Sequence, residues 1–146
     1  MIGVTVTYRT LRRRGGEEAG MVTAFVVIFT LALLVMAGLV LDGGLALSAK
    51  VQAIDAAQAA ARAGAQAIDI PTYRASGQIT LDPAQAIADA QHYLAAAGQV
   101  GTVSVNGEQV TVTVTITQAT QILSLAGIDH LTETGTGSAT AEQGNG

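Results

Sequence analysis

Residues 21–41 form a run without a single charged side chain, and from residue 45 the chain changes to apolar and polar positions repeating every three or four residues. As a helix, the first stretch covers roughly 30 Å at ~1.5 Å per residue, about the thickness of a bilayer's hydrocarbon core. Further on, Leu47, Val51, Ile54, Ala57, Ala61, Ala65 and Ile68 recur on one helical face, with Gly64 beside them, while Asp55, Gln58, Arg62, Gln66 and Asp69 form a polar stripe. Alanine, the strongest helix former, dominates this part, and no proline occurs before Pro71. The pattern predicts one helix over 21–69, roughly 70 Å long, with Gly43-Gly44 as a point where it can bend. Small residues on its outer half allow close approach of another helix, so the face from Leu47 to Ile68 is a candidate packing surface.

Pro71 is expected to end this helix, and PTYRASGQIT reads as a loop. Asp82-Pro83 is an N-cap followed by proline at the first helical position, predicting a second helix over 83–97 that stops at Gly98. Its core face would be Ile87, Ala90, Leu94 and Ala97. Val103 and Val105, then Val110, Val112, Val114 and Ile116, alternate with polar residues on either side of Asn106-Gly107, a favoured two-residue hairpin turn. That turn pairs Val105 with Glu108 and Val103 with Val110, which puts the valines on one face and the threonines on the other. QILSLAGI reads as a short apolar turn or helical piece expected to pack at the edge of the sheet. A third strand over 131–141 follows, with Thr132, Thr134, Thr136, Ser138 and Thr140 on one side. Gly135, Gly137, Ala139 and Ala141, on its other side, are small enough for a neighbouring element to lie close. Residues 142–146 read as a frayed tail. The expected class is α+β: a long N-terminal helix and a short second helix laid on a three-stranded antiparallel sheet.

Charge gives this arrangement a direction. Arg9, Arg12, Arg13 and Arg14 precede the apolar run, whereas Lys50, Arg62 and Arg74 are the only basic residues after it. The positive-inside rule then places the N-terminus in the cytoplasm and the chain from Asp42 onward outside. The organisation read from the sequence is a basic leader (1–20), a transmembrane helix (21–41), an alanine-rich continuation (42–70) and a small extracytoplasmic α/β part (71–146). Cleavage after Ser48, as of a secretory signal, is one alternative, although the apolar run exceeds the usual length of a signal's core. Processing between Gly20 and Met21 by a prepilin peptidase is another; it would leave the apolar helix in place. Asp42, at the membrane boundary, reads either as the solvated end of the span or as a functional acid meeting a partner. With aromatics at 3% and no tryptophan, the core has few bulky residues, which points to completion by copies or partners.

The side chains needed for catalysis are sparse. The chain has no cysteine, which removes disulfides and thiolate metal sites. His92 and His130 lack a partner at metal-ligand spacing, and no glycine-rich stretch continues as a phosphate loop. The serines lack a nucleophile-elbow pattern, and no calcium-loop cluster of acids is present. An acidic, aromatic-poor exterior, within a formal charge of −4, argues against nucleic-acid binding. No enzyme, cofactor or metal site is therefore expected.

Gly20, the span after it, Asp42-Gly43 where it ends, and the alanine-rich helix with Gln52, Asp55, Ala56 and Ala57 resemble the N-terminus of TadE/TadG-like pilus-assembly proteins. DPAQAIADAQHYLAAAG, the VSVNGEQVTVTVTI hairpin and LAGIDHLTETGTGSATA resemble actinobacterial members, extending the resemblance from about Arg12 to Glu142. Phe25 stands where type IV pilins place a glutamate, and the chain is short for a full TadG-like protein. The resemblance implies a TadE-like, minor pilin-like subunit in the bacterial cytoplasmic membrane that works by assembly rather than catalysis. Its partners would be the lipid bilayer, other pilin-like subunits and the inner-membrane assembly platform, in a homo- or hetero-oligomer. On that reading Ala61→Leu or Gly64→Leu would impair assembly and leave membrane insertion intact. The competing expectation is a membrane-tethered or secreted binding module.

Overall fold

The computed structural model describes residues 16–141; the leader arginines and the tail over 142–146 lie outside the described residues. Helix α1 runs Gly16–Gly64, followed by α2 (Ile70–Ser76), α3 (Pro83–Ala96), β1 (Gly101–Asn106), β2 (Gln109–Ala119), a 3-10 turn (Leu123–Ala126) and β3 (His130–Thr140). The chain divides between Ala37 and Gly38 into two compact units. In the first, α1 carries exposed apolar side chains, with Phe25 and Phe29 stacked one turn apart at 5.9 Å between ring centres. The second holds the remainder of α1 and all later elements. The α+β class expected from the sequence is the class observed.

The long helix ends earlier than its alanine content suggests. Past Gly64, the backbone turns, and Ile68 bridges to Leu81; Asp69 N–H donates to Thr80 O at 2.8 Å and Asp82 N–H to Ala67 O at 2.9 Å. This pairing takes over the backbone groups that a helix to Asp69 would have used. Pro71 starts a helix where the sequence predicted that it would stop one. Asp69 caps α2 by accepting from Thr72 N–H (3.2 Å) and Thr72 Oγ1 (2.6 Å), and proline in the first turn has no N–H to leave unsatisfied. Asp82 caps α3 as expected, accepting from the N–H groups of Ala84 and Gln85 at 3.0 and 3.1 Å. Gly98, at φ 65°, follows the helix end. The face α3 buries is Ala86, Ala90 and Leu94; Ile87 is half-buried and Ala97 exposed.

The sheet is antiparallel in the order β1-β2-β3. Its hairpin is shifted from the expected register: Val105 pairs with Val110 and Val103 with Val112. Gly107, at φ 61°, occupies the first central position of the turn and Glu108 the second, so Asn106 stays in the strand opposite Gln109. The shift amounts to two residues on the partner strand. Because side chains alternate with a period of two, every valine keeps its predicted face. Val110, Val112 and Val114 are fully buried beneath Ala53, Ala57, Ala60 and Ala61 of α1 and Ala86, Ala90 and Leu94 of α3.

β3 meets α1 through its glycines. A Cβ on Gly135 would overlap the backbone of Ala53, and one on Gly137 would overlap that of Ala57 and Gln58. The helix thus rests directly on the strand backbone, with alanines on one side and glycines on the other. The small residues predicted to admit a close neighbour do so, and the neighbour is α1.

Candidate functional site

Asp42 and the loop it holds are the most tightly built polar feature of the described residues. Asp42 is 2% exposed, and its carboxylate accepts the backbone N–H of Gln121 (2.8 Å), Ile122 (3.0 Å) and Leu123 (2.7 Å). These donors open the 3-10 turn, where N–H groups have no partner within the turn itself. Charge-assisted bonds of this kind favour the ionised acid. The N–H of Leu123 is the largest influence holding the Asp42 carboxyl below the usual carboxylate range; burial opposes it, and the N–H groups of Gln121 and Ile122 reinforce it. One helical turn earlier, Gly38 leaves space that Ile122 fills: a Cβ there would overlap the Ile122 side chain. Gly38 and Asp42 therefore work as a pair, a notch and an acceptor that together seat the loop on α1. The boundary acid is thus enclosed, with both carboxylate oxygens taken by backbone N–H groups of the loop.

The loop is closed on itself as well. Leu125 N–H donates to Ile122 O, Gly127 N–H to Ser124 O and Ile128 N–H to Leu123 O at 3.0–3.1 Å, and the Thr120 hydroxyl donates to Ile128 O. Sequence reasoning singled out Asp42 but not these partners. They lie about eighty positions away, and the only local signal was an uncharged segment whose N–H groups needed an acceptor.

The candidate packing face of α1 divides into parts. Ala57, Ala61 and Gly64 are buried in the protein's own core; Ile54, Ala65 and Ile68 are half-buried; Leu47 and Val51 are 66% and 50% exposed. The buried stripe of α1 instead follows Ala49, Ala53, Ala57, Ala60 and Ala61. A Cβ on Gly64 would come within 2.7 Å of Ala86 O. Gly64→Leu and Ala61→Leu would consequently disturb the domain's own packing before any contact with another subunit. Gly20 and Met21 lie inside α1 with their surfaces exposed.

The outer sheet face is a hydroxyl array. Thr102, Thr113 and Thr136 align across the three strands, as do Ser104, Thr111 and Ser138. Thr111 Oγ1 lies 3.1 Å from Ser138 Oγ and Thr113 Oγ1 3.3 Å from Thr136 Oγ1. His92 and His130 are exposed on separate elements. Among the described residues, no group of three or more histidine, cysteine or acidic side chains is placed to hold a metal ion.

One described helix is long and apolar enough to cross a membrane, with a mean hydropathy of 2.9 in its most apolar window. These features define the chain as one that fits a single-pass membrane protein carrying a small α+β domain. Residues 20–67, about a third of the chain, are similar to the Tad family model, described as Flp pilus-assembly TadE/G-like. The match takes in α1 from the start of the apolar run and the turn after Gly64; the sheet and α3 lie beyond it. No curated protein and no solved structure matches the chain significantly.

Proposed function

We propose that the protein is a membrane-anchored, TadE-like subunit that takes part in building a Flp-type pilus or a related secretion system. The observation that carries this reading is the family match over residues 20–67, which coincides with the apolar helix and its alanine-rich continuation. The apolar part of α1 holds the subunit in the cytoplasmic membrane, N-terminus inside, and the α+β domain stands outside. It is there that the subunit meets other pilin-like subunits and the assembly platform. The alanine face supports the subunit's own sheet, so contact with neighbours falls to the apolar residues that α1 leaves exposed above Asp42, chiefly Leu47 and Val51. Processing between Gly20 and Met21, a bond that lies within α1, would leave the apolar run from Met21 onward in place as the anchor.

Replacing both Leu47 and Val51 by glutamine, in the full chain in its native cells, tests the reading. The expected result is loss of surface pili with normal amounts of protein in the membrane fraction. Normal piliation would overturn the assigned contact. Normal piliation after deletion of the whole gene would overturn the role in assembly.

A further inference from the structure

The geometry points to a second membrane contact: the loop over 121–128 lies in the interfacial layer of the leaflet from which α1 emerges, with Leu125 and Ile128 turned into lipid. This rests on the reading of α1 as a membrane anchor and adds a lipid-facing surface on the folded domain.

Depth is the first argument. Asp42 directly follows the apolar run, and Gly38 lies within its last turn. Through the three N–H bonds to Asp42 and the Ile122 side chain against Gly38, the start of the loop is fixed at the level of that turn. Helical side chains also tilt toward the N-terminus, which here is toward the membrane.

Chemistry is the second argument. Gln121 to Ile128 carries no charge, and Leu125 is 89% exposed, the highest value among the large apolar side chains described; Ile128 is 45% exposed. An apolar tip on a loop with internally bonded N–H groups suits an environment poor in water, where unpaired backbone groups are costly. The third argument is the surface of α1 itself. With Asp42 enclosed, the side chains exposed after the run include Leu45 and Leu47, and the next charged residue is Lys50. The uncharged exterior thus continues for about two turns beyond the run.

The chain contains no cysteine, so single cysteines can be introduced and labelled with an environment-sensitive fluorophore. Full-length Leu125→Cys, Glu108→Cys and Val27→Cys would be reconstituted in phosphatidylethanolamine/phosphatidylglycerol vesicles. Glu108 sits in the hairpin at the opposite end of β2 from the loop, and Val27 within the apolar run. The expected result is quenching of the Leu125 label by lipid carrying a nitroxide near the headgroup, with severalfold weaker quenching by aqueous iodide than at Glu108. Quenching by lipid at Val27 but not at Leu125 would overturn this contact and leave the anchor standing. Absence of lipid quenching at Val27 would overturn the anchor and the contact together. Shielding of Leu125 that disappears when protein is diluted in lipid would mean that a second copy covers it, and would overturn the assignment to the bilayer. Shielding unchanged by dilution supports it.

Discussion

A carboxylate next to an apolar run is usually kept in water, because an ion without partners is costly to bury. Asp42 escapes that cost through three backbone donors supplied by a distant loop. Since its folded-state pKa lies below the ordinary value of about 4, its stabilising contribution is fully present above that pH. The contribution fades as pH falls through the lowered folded-state value. Thermal melting of the full chain in detergent micelles should therefore show Asp42→Asn less stable than the natural protein at pH 7, because an amide offers one acceptor oxygen and turns an N–H₂ toward the same donors. The gap should narrow as the pH is lowered below about 4. A gap that stayed constant down to pH 3 would contradict the assigned role. The sequence marked this residue as a boundary acid, but its partners could not be read, because an Asp-to-backbone bond leaves no trace in the identity of the residues that donate.

At the scale of elements, the seam between α1 and β3 is where the fold has least slack. Gly135→Ala would push a methyl group into the backbone of Ala53, where no flexible side chain can give way. Overpacking of this kind costs about 1–3 kcal/mol, whereas Ser138→Ala, on the exposed face of the same strand, should change stability by no more than about 0.5 kcal/mol. Denaturant titration of the two variants would show this contrast; equal midpoints would mean that helix and strand can separate freely. The seam was legible in advance as alternation of Gly and Ala with Thr and Ser. Other elements were read less well. Asp69-Ile70-Pro71 carries much the same capping chemistry as Asp82-Pro83, yet the single intervening residue hid a helix start behind a proline that looked like a stop. In the hairpin, Asn106-Gly107 suggested a turn that the backbone moved one residue onward, since only glycine there takes a positive φ.

At the scale of the whole molecule, the sequence carried the most information: one apolar run, a charge asymmetry and a single α+β domain. Composition also suggested that copies or partners would complete the core; within the chain, the alanine face packs on its own sheet. Distinguishing an internal from an external partner for a small-residue face requires knowing where β3 lies, which periodicity alone does not give. The orientation has its own test. Protease added to spheroplasts should remove the α+β domain and leave an N-terminal tag intact, and the reverse pattern should hold in inverted membrane vesicles. Digestion of the tag in spheroplasts would reverse the assigned topology.

The grip of Asp42 on residues 121–123 also has a mechanical meaning. A pull along α1 loads its three N–H bonds together rather than in succession, so they resist shear as one clasp. Traction on this part of the helix would reach the sheet through this clasp as well as through the alanine seam. Helix and sheet would then move together rather than peel apart.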